Sequence, residues 1–101
     1  MGILSKLFGG SSVNYKELVS NGATIIDVRT PGEYAGGHIK GSVNIPLQQL
    51  EKNSSKINKS KPVITCCASG MRSGSAKSIL KAKGYDVHNG GGWTSLKAKL
   101  H

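Results

Sequence analysis

Two cysteines stand side by side at positions 66 and 67, directly after a β-branched apolar run, Val63-Ile64-Thr65. Behind them come the small residues Ala68, Ser69 and Gly70, then Met71-Arg72-Ser73, then a helical pattern. The order reads as a buried strand feeding a tight loop, and the loop a helix. In that geometry Cys67 lies at the floor of a bowl of backbone N–H groups, with a helix N-terminus aimed at it. Successive N–H groups and helix starts attract anions. They also lower a cysteine's pKa. Arg72 adds a fixed positive charge nearby. The chemistry this favours is a nucleophilic thiolate, or a charged sulfur species built on one. The competing reading, an inert core cysteine, fits poorly with a glycine-flanked loop ahead of a helix.

Other residues are chemically tempting. Asp27 interrupts the apolar run Ala23–Val28, where an unpaired carboxylate is costly to bury. With Arg29, Glu33 and His38 it reads as a buried or half-buried ion and hydrogen-bond network that fixes loops. Arg29 and Glu33 are spaced for an i,i+4 contact if helical. A general-base role for His38 is the rival reading. Arg72 either binds an anionic donor or braces its loop on carbonyls or a carboxylate, and both roles can coexist. Side chains alternate along a strand, so Cys66 and Cys67 should point opposite ways. Cys66 then reads as a small buried hydrophobe, with a resolving or accepting thiol as the alternative. A bridge between direct neighbours is strained. The two cysteines with a histidine lack metal-ligand spacing, so no metal is expected. Gly90-Gly91-Gly92 reads as a turn, and Trp93 as a core anchor or part of a pocket rim.

The elements that must position these residues follow from periodicity. Asn14 to Glu17 has the form of a capping box and opens a short helix through Ser20, which Gly22 ends. Ala23–Val28 reads as a buried strand, and Arg29–Gly32 as a turn. Glu33–Ala35 is one helical turn, and Ser42–Ile45 a short strand stopped by Pro46. Leu47–Leu50 starts a helix, and Glu51–Lys61 reads as a poorly ordered helix or loop anchored by Ile57. Ser73–Lys83 presents Ala76, Ile79 and Leu80 on one face and ends at Gly84. Tyr85–His88 is a further strand, and Trp93–Leu100 a last helix with Trp93, Leu96 and Leu100 inward. Strands alternating with helices predict an α/β fold: a doubly wound, mainly parallel sheet of four to five strands with helices on both faces. Ligands of such sheets bind at the strands' carboxyl ends, where Cys67 falls.

At 101 residues the chain is one domain with a modest core. Its 14 Lys and Arg against 5 Asp and Glu give a net charge of +9. All but Arg29 and Arg72 of the basic residues are lysines, and they are scattered. That pattern is a solvated basic surface, or one attracting anionic substrates or an acidic partner. Without aromatic interleaving or an arginine cluster, no nucleic-acid partner is expected. No apolar run spans a bilayer and no signal-peptide pattern opens the chain, so a cytoplasmic location is the expectation. Ile3, Leu4, Leu7 and Phe8 are spaced as a short helix or loose tail, assigned to residues 1–12, with the domain proper over 13–101.

Four motifs occur in order. They are Asp27-Val28-Arg29 with Pro31 and Glu33; Gly37-His38-Ile39-Lys40-Gly41-Ser42 with Asn44-Ile45-Pro46; Cys67-Ala-Ser-Gly-Met-Arg72-Ser73; and Gly91-Gly92-Trp93. Together they resemble a single-domain rhodanese, of the thiosulfate sulfurtransferase family. The resemblance runs from about Val13 to the C-terminus. It implies that Cys67 is the nucleophile and accepts a sulfane sulfur as a persulfide. That sulfur passes to cyanide in vitro, or to a thiol or acceptor protein in the cell. It implies that the amides of Ala68, Ser69, Gly70, Met71, Arg72 and Ser73 cradle the terminal sulfur, with no cofactor. The residue before the nucleophile is often aromatic in that family, and here it is Cys66. Small residues let the loop curl around a soft anion that backbone N–H groups stabilise without donating a proton.

Two other functions compete. Related folds use a Cys-x5-Arg loop for phosphatase or arsenate reductase chemistry, but only four residues separate Cys67 from Arg72. The smaller loop suits one sulfur atom better than a tetrahedral oxyanion. The second is a persulfide carrier or docking module with little turnover alone.

Overall fold

The computed structural model describes residues 13–101. The reading of residues 1–12 as a tail or short helix lies outside them. In chain order the elements are α1 (Tyr15–Ser20), β1 (Thr24–Asp27), α2 (Pro31–Ala35), β2 (Val43–Asn44), α3 (Leu47–Asn53), a 3-10 turn (Ser54–Lys56), β3 (Val63–Cys67), α4 (Met71–Ala82), β4 (Val87–Gly92) and α5 (Trp93–Lys99).

The four strands form one sheet in the order β2-β1-β3-β4, with every pairing parallel. The expected α/β architecture is present with four strands. Strand alternation divides the core into two layers. On one face Ile26, Val28, Val63 and Cys67 meet Leu50 of α3 and Ala76 and Leu80 of α4. On the other, Ile25, Ile64 and Cys66 meet Leu96 of α5, with Tyr15, Leu18 and Val19 of α1 packed alongside. Leu50, Leu80 and Leu96 are fully buried. Each contributes roughly 1.5–3 kcal/mol of transfer free energy.

Several elements differ from the sequence reading. The glycine run at 90–92 is not a turn: β4 continues through Gly92. The reason is steric. A Cβ on Gly90 would lie 2.9 Å from Ile64, Leu96 and the Thr65 carbonyl, so only glycine fits this crowded strand. Residues 51–61 are ordered: α3 runs to Asn53, and the Tyr85 hydroxyl donates to the Ser54 and Ile57 carbonyls. Ile57 is the buried anchor. Helix α4 starts at Met71 instead of Ser73, and α2 at Pro31 instead of Glu33. At α1, the Asn14 side chain accepts the Glu17 N–H. The reciprocal capping box stands at Thr30 and Glu33, opening α2.

Candidate active site

β3 delivers Cys67 to the carboxyl edge of the sheet. A register shift between Thr65 and Cys67 sets Cys67 opposite Gly92 of β4. The chain then reverses into α4 through Gly70, whose φ of +105° is a conformation that glycine tolerates and side chains resist. The reversal turns loop amides inward onto the sulfur. Gly70 N–H donates to Cys67 Sγ at 3.0 Å, and Ser73 N–H at 3.3 Å. The thiol donates in turn to the Ser73 hydroxyl at 3.5 Å.

Here the structure corrects the sequence reading. Cys67 is not the floor of an open bowl: none of its surface is exposed. The loop is so short that the amides close on Sγ itself, leaving Ala68 and Ser69 exposed above it and Met71 82% exposed beside it. Burial alone pushes the thiol's pKa up. The donors from Ser73, Gly70 and Ser69 outweigh it, so the net displacement is downward. The thiol is thus easier to ionise than its enclosure alone would allow.

Cys66 sits in the opposite environment. It is fully buried across the sheet among Ile25, Ile39, Ile64 and Leu96. Desolvation, then the Asp27 charge, pushes its thiol up to about 12. It is a small hydrophobe, and the sheet separates it from the Cys67 loop.

The network expected of Asp27, Arg29, Glu33 and His38 is present only in part. Arg29 donates from Nε at 2.9 Å and Nη2 at 2.7 Å to the buried Asp27 carboxylate. Its Nη2 also donates to the Gly37 carbonyl, and its guanidinium stacks 4.7 Å from the Trp93 ring. Trp93 is therefore a half-buried support for Arg29. Removing one member of this buried pair would cost about 3–5 kcal/mol. The expected Arg29–Glu33 side-chain pair does not form, because Arg29 precedes α2 and its Nη1 reaches only the Glu33 carbonyl. The Glu33 carboxylate instead grips Arg72 as a fork, at 2.7 and 2.9 Å. That pair, then the Thr30 N–H, draws Glu33 down to about 2. Of the roles open to Arg72, bracing on a carboxylate is the one the geometry shows. His38 stands outside the network: it is exposed, stacks on Tyr34 at 3.8 Å, and bonds the Tyr34 carbonyl.

Asn89 was not singled out by the sequence. Its Oδ1 accepts the Ser73 hydroxyl at 2.7 Å and Gly91 N–H at 2.9 Å. No local pattern marks it, since its partner Ser73 lies on α4, 16 positions earlier in the chain. Among the described residues, no three His, Cys, Asp or Glu side chains gather as a metal ion requires. No helix among them is long and apolar enough to cross a membrane. A cleft of about 540 Å³ opens beside β2, lined by Ile26, Val43, Ile45, Gln49 and Lys56 among others. It contains no cysteine and does not include the Cys67 loop.

Comparison with known proteins agrees with this architecture. The family model of the rhodanese-like domain matches residues 12–99. YqhL of Bacillus subtilis (strain 168) is 47% identical over 68 residues, which are 66% of this chain and 54% of that protein. The thiosulfate sulfurtransferase PspE of Escherichia coli (strain K12) is 40% identical over 70 residues, covering 66% of this chain and 67% of PspE. The chain thus spans between about half and two thirds of these relatives. Among solved structures, a rhodanese with anions from E. coli superimposes with a TM-score of 0.68 at 37% identity, covering 72% of this chain and 89% of that one.

Proposed function

The chain belongs to the rhodanese-like domain family, and from that premise we propose that residues 13–101 move a sulfane sulfur through a Cys67 persulfide. The donor is a small anion such as thiosulfate. The acceptor is cyanide in the test tube, and a thiol or a protein in the cell. One observation carries this reading: two backbone amides and a hydroxyl converge on Cys67 Sγ. Such a cradle stabilises a charged sulfur without protonating it. PspE and the E. coli rhodanese solved with anions are consistent with an anionic sulfur donor. Ala68, Ser69, Gly70, Met71, Arg72 and Ser73 form the donor-binding loop, which Glu33 braces through Arg72, while Asp27 and Arg29 form a buried pair beside it. Because Sγ is enclosed, loading requires the exposed Ala68–Ser69 segment to lift. The lysine-rich charge suits an anionic partner in the cytoplasm.

The test is incubation with thiosulfate followed by intact-protein mass spectrometry. The wild type gains one sulfur atom and releases it as thiocyanate on adding cyanide. Cys67→Ser abolishes the adduct, and Cys66→Ser keeps it. The reverse pattern overturns the assignment. Loading without thiocyanate release identifies a carrier. Hydrolysis of an aryl phosphate in place of sulfur transfer would return the phosphatase reading.

A further inference from the structure

Resting on the reading of Cys67 as the sulfur-bearing group, we propose that Asn89 is a positioning residue. It steers the Ser73 hydroxyl between two acceptors, and so suits Cys67 to each half of the transfer in turn.

The hydroxyl of Ser73 is fully buried and has one proton to give. Two oxygen acceptors lie within reach, Asn89 Oδ1 at 2.7 Å and the Gly70 carbonyl at 3.1 Å; Cys67 Sγ, 3.5 Å away, donates to Ser73 Oγ as a thiol and becomes a further acceptor once ionised. The first has the ideal length for an O–H···O bond. The Asn89 amide cannot turn its nitrogen to Ser73 without losing Gly91 N–H, which donates to the same oxygen. Both backbones are pinned as well. Thr65 Oγ1 donates to the Ser73 carbonyl at 2.9 Å, and the Tyr15 hydroxyl to the Asn89 carbonyl at 3.0 Å. The resting chain of donors therefore runs from the thiol to Ser73 Oγ, and from Ser73 to Asn89.

The two halves of the transfer make opposite demands. In loading, the thiolate attacks the outer sulfur of thiosulfate. A Cys67–sulfur bond forms, the thiosulfate S–S bond breaks, and sulfite leaves with the electron pair. In unloading, the acceptor attacks the terminal sulfur, and the pair of the Cys67 S–S bond returns to Sγ. The thiol's proton is lost to solvent before loading; counted from thiolate to thiolate, no proton or electron is gained or lost. A thiolate attacks faster when more basic and departs faster when less basic. With the hydroxyl held on Asn89, Sγ keeps only its amide donors and stays reactive. With the hydroxyl swung across, Sγ gains a hydroxyl donor as well and leaves readily. Among the described residues, the charged and thiol groups near the loop are engaged elsewhere. Arg72 is paired with Glu33, Asp27 with Arg29, and Cys66 faces the other side of the sheet.

The experiment compares wild type, Asn89→Ala, Ser73→Ala and the double variant. It titrates the ultraviolet absorbance of the Cys67 thiolate and measures the two half-reactions separately by rapid mixing. In Asn89→Ala the hydroxyl is shared between the Gly70 carbonyl and the ionised sulfur, so the titration midpoint falls by up to roughly one pH unit. At a pH well above both midpoints, where the thiol is fully ionised, loading slows about threefold, the response expected from a Brønsted slope of about 0.4–0.5. Unloading is unchanged or faster. In the Ser73→Ala background the Asn89 substitution moves nothing. An unmoved or raised midpoint in Asn89→Ala overturns the proposal. So does the same shift without the Ser73 hydroxyl, or equal slowing of both halves. Asn89→Asp keeps both acceptor contacts and guards against a folding failure: its midpoint rises, and a fall overturns the proposal. A wild type that titrates but never takes sulfur from thiosulfate defeats the persulfide reading itself. An unmoved midpoint in a protein that loads normally defeats only the role of Asn89.

Discussion

At the scale of single residues, the carboxylate of Glu33 directs both oxygens to Arg72 across 39 positions of sequence. Its folded-state pKa of about 2 lies below the ordinary 4.5, so the pair stabilises the fold fully above pH 4.5. That contribution is lost as pH falls from 4.5 towards 2. Glu33→Gln should therefore melt below wild type at neutral pH, with the gap closing over that window. Melting curves recorded down the pH scale check this, and a gap independent of pH refutes it. The pair also explains what a sequence does and does not disclose. Cys67 was legible because strand, small loop and helix start are consecutive. Glu33 was legible as a network member but not as the partner of Arg72, because nothing local joins α2 to α4. Asn89 was invisible for the same reason. The burial of Cys67 was missed because loop length reveals tightness, not whether the amides settle on the sulfur itself.

At the scale of elements, β4 governs the loop by leaving room for it. A Cβ on Gly92 would come within 2.9 Å of the Ala68 carbonyl, a backbone atom of the Cys67 loop. One on Gly90 would strike the core side chains Ile64 and Leu96 at the same distance. Gly92→Ala should then depress sulfur loading well beyond its effect on melting. Gly90→Ala should lose about 1–3 kcal/mol of stability, the range for overpacked cores, with a smaller effect on loading by the protein still folded. Paired melts and loading assays decide, and an inverted order would show that the loop does not rest on β4. The order of strands and helices was readable from periodicity, because each amphipathic stretch declares its buried face. The glycine run misled because local rules treat such runs as turns. Here the neighbouring strand and helix demand them.

At the scale of the whole molecule, a charge of +9 is spread over many lysines, and the proposed donor is an anion. Encounter with a doubly charged donor should be faster than geometry alone allows, and should weaken as salt screens it. The loading rate with thiosulfate is expected to fall several-fold between about 10 mM and about 1 M salt, as the screening length shrinks from about 30 Å to about 3 Å. Alkylation by an uncharged reagent should stay level over that range. A flat salt response with thiosulfate would show that the lysines only solvate the surface. The two-layered core has a consequence of its own. Residues 66 and 67 are covalent neighbours, yet one sulfur belongs to the α1–α5 side and the other to the α3–α4 side. A trivalent arsenical, which captures dithiols by chelating both sulfurs with one atom, finds no such claw here. In the folded chain, a Cys-Cys dipeptide behaves as two strangers.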